Sequence, residues 1–585
     1  MEEKKKMRMN KSKAVIAALA VLFLGQQVVK ASNITDASGN AIQTGSNGEY
    51  NITPDAIDGN GTGYRKFQDM NLSQGDIMNF IFQYLQTTYG PGATGAIANR
   101  STTDINKFVN LVKNQINING IINALDSVGG ALKPGSQLVF ISPNGMVVGS
   151  SGVLNVGSLS VVTPSTSDFN KYYGSSDIPN VSDYTSPNTT RILNTNGSYT
   201  EIGEATDNTT GYYSHAVTIG DSNFIPITIG DKGTVTMNGT AFNTNPDATV
   251  DVQGGVISRG DVNIQAGTLN VGAKGAILSG VKDSTVLQNP ETYTDDQGVV
   301  HNQQMVYNGT TYATGADAAG ALFNAIVNTD NMNTGNAFAN TNGNIFITTA
   351  TGTNVAEGGA VKNFGAAGDI TIANGGANGI NIAGKVYNPN GSLSVVNTNG
   401  ALNVASTGDV QNVGTMTFNN SGSGMKLNGN VLNTGDLTAI NSGADGMEIG
   451  GTVTNNTGAA TFTNKAGQLN VKTGGVVTSN GTSLTMTNEE TGTGFNVSGK
   501  VHNTNGTAKL ENRAGDLSID GIVLGDGSSS SMTIKNSGAG QLLVAQAGTV
   551  DNVNDLLMDN SGTNGLNING TVKNTGNTTI KNTGA

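Results

Sequence analysis

The sequence contains no cysteine and no tryptophan, and aromatic residues make up only 5% of its 585 residues. Without cysteine there can be no disulfide framework, so the fold has to be stabilised by packing alone. The shortage of large side chains argues against one large globular core. The histidines, His215, His301 and His502, are far apart and lack the spacing of metal ligands, so we expect no metal and no cofactor.

Basic residues are scarce as well. The chain has 30 Lys and Arg against 42 Asp and Glu, which gives a net charge of −12 at pH 7. An acidic surface repels the phosphates of nucleic acids and of anionic lipids. We therefore expect no nucleic-acid partner.

Long hydrophobic runs are missing too. The apolar run at residues 14–25 is shorter than the roughly 20 residues that a membrane-spanning helix needs. It follows a basic segment and precedes Val29-Lys30-Ala31, so residues 1–31 are predicted to be a secretory signal peptide cleaved after Ala31. Its removal takes away seven basic and two acidic residues, which shifts the net charge from −12 to −17. We expect a secreted protein that is not an integral membrane protein.

What the chain has in abundance is a short repeat, roughly V-x-N-x-G, an alternating strand, N-x-G-A-x-G and another strand. The opening valines lie 21 to 27 residues apart, with a mean near 23. Such a period is typical of a solenoid, because one repeat cannot bury its own apolar face and has to stack on its neighbours. These valines are Val361, Val386, Val410, Val431, Val453, Val477, Val501, Val523, Val550 and Val572.

Each repeat has room for about three short strands, which predicts an all-β parallel β-helix with coils about 4.8 Å apart. The asparagine of V-x-N recurs with the same period. We expect its side chains to stack at one corner and to hydrogen-bond along the axis. These residues are Asn363, Asn388, Asn412, Asn433, Asn455, Asn503, Asn552 and Asn574.

The composition divides the chain into zones. Residues 32–280 are rich in short β-like runs and are interrupted at 164–216 by a polar excursion from the rod. Residues 281–342 form a second excursion, with a predicted hairpin between 291–294 and 304–307 and a predicted helix at 316–328. Residues 343–585 are the repeat array, which stops in mid-repeat and is expected to continue in a longer protein. Ile105, Phe108, Val109 and Val112 fit either a helix or two short strands.

One run carries a family resemblance. Ser142-Pro143-Asn144-Gly145, followed by M-V-V-G and then by G-V-L-N-V-G-S-L around Asn155, resembles the N-P-N-G-I…G…N-V-G-x-L signature of filamentous-haemagglutinin-like exoproteins. Those proteins cross the outer membrane of Gram-negative bacteria by a two-partner (type V) pathway. Ser142 stands where the family has asparagine, and either side chain can cap a turn.

Three shorter runs add to the resemblance. Residues 66–72 (KFQDMNL) are similar to the family's K-F-x-x-F-N-V run, residues 98–100 to its L-N-R-V element, and residues 116–124 to its I-x-G-x-I-x-A coil. The sequence is closest in character to large leukotoxin-like filamentous adhesins. The resemblance covers about residues 45–280.

The resemblance implies a right-handed β-helix that docks, through residues 32–280, with an outer-membrane barrel transporter and then folds outside the cell. Ser142, Pro143, Asn144, Gly145 and Asn155 would form the secretion motif, acting either in transporter recognition or in closing a coil. The expected function is a surface-displayed adhesin that binds a host-cell receptor or glycan, and not an enzyme.

Two other functions remain open. A toxin or cytolysin of the same secretion type is one. The other is a polysaccharide-degrading β-helix enzyme, because Asp295-Asp296 and Asn328-Thr329-Asp330 resemble, in reversed order, pieces of polygalacturonase motifs. The spacing of acidic and polar residues over 58–69 also resembles a calcium loop.

Overall fold

The chain forms a long parallel β-helix in which each coil contributes one strand to each of three faces. In the repeat array one coil consists of Lys385–Asn388, Leu393–Asn397 and Leu402–Val404. The predicted all-β parallel solenoid is confirmed. The computed structural model describes residues 32–42, 49–57, 60–89, 97–126, 132–174, 234–237, 239–281, 343–489, 492–527 and 530–584, and short strands between 191 and 312.

We name the faces A, B and C after the strands that stack on Leu393–Asn397, Leu402–Val404 and Lys385–Asn388, respectively. Face A consists of Thr62–Leu72, Lys107–Val112, Gln137–Ile141, Ser158–Val162, Val262–Val271, Ile345–Val355, Ile370–Asn374, Leu393–Asn397, Met416–Asn420, Leu437–Asn441, Ala459–Asn464, Ser483–Asn488, Thr507–Asn512, Met532–Asn536, Leu556–Asn560 and Thr578–Asn582. Face B consists of the second halves of three of these strands (Thr62–Leu72, Val262–Val271 and Ile345–Val355) and of Ile116–Ile118, Met146–Val148, Thr249–Val252, Gly379–Ile382, Leu402–Val404, Met425–Leu427, Met447–Ile449, Gly467–Val471, Gly492–Val497, Asp516–Ile519, Leu542–Val544 and Leu566–Ile568.

Face C is a separate sheet of 16 strands, one for each coil. It consists of Glu49–Ile52, Ile77–Ile81, Ile121–Leu125, Val153–Val156, Gly255–Ser258, Ala276–Ser279, Ala360–Asn363, Lys385–Asn388, Asp409–Asn412, Asn430–Asn433, Thr452–Asn455, Val476–Ser479, Lys500–Asn503, Ile522–Gly525, Thr549–Asn552 and Thr571–Asn574. The coil before the second excursion therefore stacks directly on the coil after it, because Ala276–Ser279 pairs with Ala360–Asn363.

The repeat period sets the register of the stack. Val361 pairs with Val386, Val386 with Val410, and so on without a slip to Val550 with Val572. All ten valines of the repeat thus lie in one column on face C. This confirms that the repeat seen in the sequence is one coil of the rod.

The core is one continuous column of inward-facing aliphatic side chains. Most strands of the array alternate, as in Leu393–Asn397, where Leu393 and Val395 are buried while Ser394 and Val396 face outward. The same cluster runs from Ile34 to Met558. Each fully buried Val, Leu or Ile side chain contributes about 1.5–3 kcal/mol, so stacking supplies the stability that disulfides cannot.

The predicted asparagine column on face C forms a hydrogen-bonded ladder over part of its length. Nδ2 of Asn388 donates to Oδ1 of Asn412 (3.2 Å), and the same bond links Asn412 to Asn433 and Asn433 to Asn455. Another such bond links Asn552 to Asn574 (3.1 Å). Between these two stretches the column contains Ser479, Asn503 and Gly525, and the ladder is interrupted because Ser479 and Gly525 have no amide side chain.

A second ladder, which was not predicted from the sequence, runs along the end of face A. Each Nδ2 donates to the Oδ1 of the next coil at 2.7–3.1 Å, with no interruption. Its members are Asn374, Asn397, Asn420, Asn441, Asn464, Asn488, Asn512, Asn536, Asn560 and Asn582. The buried amides satisfy one another across coils, which offsets the cost of removing them from water.

The interruption at Ser479 leads to a prediction. Oδ1 of Asn503 is buried without a hydrogen-bond partner, and Ser479 in the coil before it donates instead to the carbonyl of Ser483 (3.2 Å). Ser479→Asn should supply the missing donor and raise the free energy of unfolding by about 1 kcal/mol. Urea denaturation checks this against Thr478→Asn, an outward-facing control. A midpoint no higher than that of the control would contradict the prediction.

The N-terminal end of the rod is covered by an antiparallel strand. Asn33–Asp36 pairs with Thr62–Leu72 of the first coil, with Ile34 opposite Met70. Ala56–Ile57 pairs antiparallel with the same long strand, and Val217–Thr218 pairs parallel with Ala56–Ile57. These strands occupy an edge that would otherwise expose unpaired backbone groups.

Face A carries a second apolar layer on its outer side in the first coils. The outward side chains of Tyr64, Val109, Leu111, Val139 and Ile141 are fully buried. They are covered by a helix, Thr166–Tyr173, through Phe169, and by the antiparallel sheet of Ile227–Ile229, Val235–Met237 and Thr240–Ala241. The helix lies in the first excursion, whereas the three strands follow its predicted end at residue 216, and the chain returns to the rod only at Thr249–Val252.

Local hydrogen bonds fix this helix, which was not predicted. Ser165 caps its first turn by accepting from the Asp168 backbone N–H (3.1 Å). Asp168 also accepts from Lys171 (2.9 Å) and twice from Asn243. The bond from Lys171, followed by those from Asn243, lowers the pKa of Asp168 to about 2. The helix is thus tied to the segment that returns to the rod.

Outside the rod, a four-stranded antiparallel sheet contains Gln83–Tyr89, Ile97–Asp104, Arg191–Leu193 and Tyr199–Gly203. The hairpin predicted between 291–294 and 304–307 is wrong in its pairing. Thr292–Thr294 pairs with Val300–Asn302, and Met305–Tyr307 pairs with Thr310–Tyr312. Each strand takes the nearer partner, because a short loop costs less entropy to close.

Three other interpretations of the sequence concern single segments of the chain. Of the ambiguous pattern, Phe108, Val109 and Val112 lie in the single strand Lys107–Val112 and not in a helix, and Ile105 precedes that strand. The predicted helix at 316–328 lies outside the described residues. The residues 62–69 of the spacing that resembles a calcium loop belong to one extended strand, Thr62–Leu72, and Asp69 accepts hydrogen bonds from Thr35 and Asn114.

Candidate functional site

The run Ser142-Pro143-Asn144-Gly145, here named the SPNG turn, forms the corner between strand Gln137–Ile141 of face A and strand Met146–Val148 of face B. The backbone N–H of Gly145 donates to the Ser142 carbonyl (3.4 Å) and closes the turn. Ser142 Oγ accepts from the Asn144 backbone N–H (3.2 Å), which is the role that the family's asparagine would have.

The turn connects three successive coils. Toward the preceding coil, Ser142 Oγ donates to the carbonyl of Asn114 (3.0 Å), and Asn144 Nδ2 donates to that of Lys113 (2.8 Å). Toward the following coil, the Pro143 carbonyl accepts from Asn245 Nδ2 (2.7 Å). The SPNG turn is therefore a structural joint between coils as well as a surface feature.

Gly145 makes the closest approach in this joint. Its φ of +83° lies in the left-handed region, and a Cβ added there would overlap the carbonyl oxygen of Thr249 in the next coil. Ser142, Pro143 and Gly145 are buried, whereas Asn144 is exposed. Of these four residues, only Asn144 presents its side chain for contact with another molecule.

Asn155 lies on face C and is part of a third amide ladder. Asn79 donates to Asn51 (3.1 Å), Asn123 to Asn79 (3.0 Å) and Asn155 to Asn123 (2.9 Å). Oδ1 of Asn155 accepts from Nη1 of the fully buried Arg259. Asn155 is 1% exposed, so its role is internal, and it does not join the SPNG turn in one surface site.

Arg259 was not singled out in the sequence. Its Nη1 also contacts the carbonyls of Val156 and Ile257 (3.2 and 3.3 Å), so it ends the third ladder and binds two strands of face C. The signal in the sequence is one basic residue directly after the apolar strand Gly255–Ser258. A charge is rarely buried unless it is paired or hydrogen-bonded, so this position was a candidate for an internal contact.

Residues 66–72 contact the helix of the first excursion. Tyr173 OH donates to the Phe67 carbonyl (3.1 Å), and Lys66 Nζ lies 5.9 Å from the centroid of the Tyr173 ring. Burial raises the pKa of Tyr173 to about 12. Beside them, burial raises the pKa of Asp55 to about 6, although Arg65, with its Nε 3.7 Å away, acts in the opposite direction.

The remaining motif residues fall on strands or outside the described part of the chain. Residues 98–100 lie within Ile97–Asp104, and residues 116–124 contribute to Ile116–Ile118 and Ile121–Leu125. Ala31, Asp295, Asp296 and Asp330 lie outside the described residues. Neither the cleavage site nor the carboxylates of the enzyme hypothesis can be placed in the fold.

The described residues offer hydrogen-bonding groups at this corner and no acid–base pair. Within the ranges given above, no group of three or more His, Asp or Glu residues is placed to hold a metal ion. The same part of the chain contains no helix that is both long and apolar enough to cross a bilayer. The corner can therefore present one amide side chain on a rigid support.

No protein-family model matches the sequence, and no curated protein is significantly similar to it. The parallel β-helix is shown by the structure, and the resemblance to secreted exoproteins depends on the motif residues themselves.

Proposed function

We propose that this chain is a secreted, surface-displayed filamentous adhesin, exported by a two-partner pathway, that binds a receptor or glycan on host or neighbouring cells. The observation that carries the proposal is the SPNG turn. It combines a run that resembles the motif of secretion domains with one exposed side chain, Asn144, which is held by a hydrogen bond to the preceding coil. A rigidly held, exposed amide is suited to recognition by a transporter, because little entropy is lost when it is bound.

The fold supplies a physical reason for export without an energy source at the outer membrane. Each coil that folds buries new aliphatic side chains, such as Val386 on Val361, against the coil before it. Coils that have folded outside cannot return through a narrow pore. The stepwise stacking of a solenoid therefore draws the rest of the chain outward.

The outer surface of the array supports the role of a binding rod. On face A the outward positions of successive coils are occupied by Ser394, Thr417, Thr438, Thr461 and Thr485. They are partly exposed hydroxyl side chains on a flat parallel sheet. Such a surface is well hydrated and offers hydrogen bonds over a long distance, as expected of a shaft that contacts sugars or receptors.

The export role can be tested by Asn144→Ala in the full chain, expressed in the organism that produces it. The matched control is Ser151→Ala, because Ser151 Oγ also donates one exposed hydrogen bond to the preceding coil, at the Asn119 carbonyl (2.8 Å). Each variant loses one similar contact, worth about 1 kcal/mol. We expect protease-accessible surface protein to fall strongly for Asn144→Ala and to stay unchanged for Ser151→Ala.

Equal surface levels for the two variants would contradict a recognition role for Asn144. For adhesion, cells that display the chain should bind target cells, and a strain lacking it should not. Lysis of the target cells in place of binding would favour the toxin alternative.

A further inference from the structure

Two corners of the shaft have the same sequence, Asn-Thr-Asn-Gly, and the same geometry. They are residues 397–400, between faces A and B, and residues 503–506, between faces C and A. In both, the first asparagine is buried and its Nδ2 donates to the glycine carbonyl (3.0 and 3.2 Å). In both, the glycine has a φ of +69°.

In each corner, the side chain of the third residue lies next to the backbone nitrogen of the glycine that follows it. The N–H of Gly400 donates to Oδ1 of Asn399 at 2.9 Å, and the N–H of Gly506 donates to Oδ1 of Asn505 at 2.9 Å. Each glycine nitrogen therefore lies beside the side-chain Cγ that bears this oxygen. Asn399 and Asn505 are exposed, so water and base reach them.

We propose that Asn399 and Asn505 are sites of spontaneous deamidation, a modification that needs only water. The glycine N–H gives its proton to a solvent base, the glycine nitrogen forms a bond to Cγ, and the bond from Cγ to Nδ2 breaks with release of ammonia. Water then opens the cyclic imide at either carbonyl and leaves aspartate or isoaspartate. Glycine permits the ring because it has no side chain to obstruct it.

Other Asn-Gly pairs of the same chain are protected by the stack. The N–H of Gly429 donates to the Val404 carbonyl (3.2 Å), and that of Gly570 donates to the Val544 carbonyl (3.1 Å). Before either nitrogen can react, a hydrogen bond to the preceding coil has to break. One such bond slows the reaction by about tenfold. Asn428 and Asn569 therefore provide internal controls with the same neighbouring residue.

Modification would change the corner physically. Each event adds one negative charge to a chain whose net charge is already −12. Isoaspartate also adds one carbon to the backbone path, which lengthens a corner held closed by the bond from Asn397 Nδ2 to the Gly400 carbonyl. The fraction of molecules modified at these two corners would thus increase with the age of the protein.

The chain itself suggests the variant that removes the site. Two other corners between faces A and B, with Ala466-Gly467 and Ala514-Gly515, have alanine where the first has Asn399, and their glycines have the same φ of +69°. Asn399→Ala and Asn505→Ala should therefore keep the fold, which circular dichroism checks.

The test incubates the full folded chain in mildly alkaline buffer and follows peptides by mass spectrometry, with isoaspartate detected by isoaspartyl methyltransferase. We expect Asn399 and Asn505 to convert about ten times faster than Asn428 and Asn569. In urea, where the stack is lost, all four should convert at similar rates, and the two alanine variants should lose the isoaspartate of their own peptides. Equal rates at the four positions in the folded chain, or conversion only in urea, would overturn the proposal.

Discussion

Gly145→Ala is expected to lower the free energy of unfolding by at least about 3 kcal/mol, a large effect for the addition of one methyl group. Two costs add. Alanine at a φ of +83° is strained by about 1–2 kcal/mol. Its Cβ would also overlap the Thr249 carbonyl, so the SPNG turn and the coil that follows would have to move apart. Hydrogen exchange should locate the loss in strands Met146–Val148 and Thr249–Val252.

Gly75→Ala is the matched control. Gly75 has nearly the same backbone conformation, with a φ of +90°, but no atom lies within 4 Å of the position of an added Cβ. This variant should show the backbone strain alone, about 1–2 kcal/mol. If the two variants lose the same stability, the close contact between coils at Gly145 has no energetic role. If Gly145→Ala is destabilised but exported normally, closing this coil is not needed for secretion.

Asn420→Leu should destabilise the shaft by about 2–4 kcal/mol, because it removes two buried hydrogen bonds and leaves their partners with fewer bonds. Asn420 accepts from Asn397 (2.8 Å) and donates to Asn441 (2.7 Å) within the uninterrupted ladder of face A. Leucine has a similar volume, so the loss reports the hydrogen bonds and not a cavity. Urea denaturation gives the overall change, and hydrogen exchange at strand Met416–Asn420 gives the local one.

The control for this prediction is the preceding residue in the same strand. Asn419 faces outward and is exposed, so Asn419→Leu should change the free energy of unfolding by no more than about 0.5 kcal/mol. The two variants have the same composition and the same change in strand propensity. A similar effect of both would show that the ladder contributes no more than any asparagine on the strand.

The repeat in the sequence was sufficient to predict the coils. Successive valines recur with one period. In a solenoid, residues that are one period apart stack on each other, as Val361 and Val386 do. The ladder of face A was not predicted, although Asn441 and Asn464 recur with the same period as the V-x-N asparagines. Which polar residue of a corner points inward depends on the local backbone, and the period alone does not determine it.

The outer layer on face A had a signal in the sequence. The apolar run of strand Gln137–Ile141 is continuous, whereas that of Leu393–Asn397 alternates. Continuous apolar strands are buried on both sides. The segments that cover Val139 and Ile141 could not be predicted, because the helix Thr166–Tyr173 is short and its position depends on contacts from Asp168 to the distant Asn243.

The residues of the candidate site could be predicted from the motif, but their positions relative to one another could not. The sequence grouped Asn155 with the SPNG turn, yet the two lie on different faces and only Asn144 is accessible. Residues that are close in sequence lie apart in the structure because the chain turns onto another face after each short strand. The partners of the turn, such as Asn245, come from other coils, and the length of an excursion decides which residues these are.

The amide ladder of face A has a direction. Nδ2 of each member donates to the next coil toward the C-terminus, so a rod that has folded as far as Asn441 presents an N–H at the position where Oδ1 of Asn464 has to arrive. This donor fixes the alignment of the next coil, because a slip of one residue would leave both amide groups buried and unpaired. The amides do not select the end from which the rod winds, since the ladder of the first coils on face C has the opposite direction, with Asn155 donating back to Asn123.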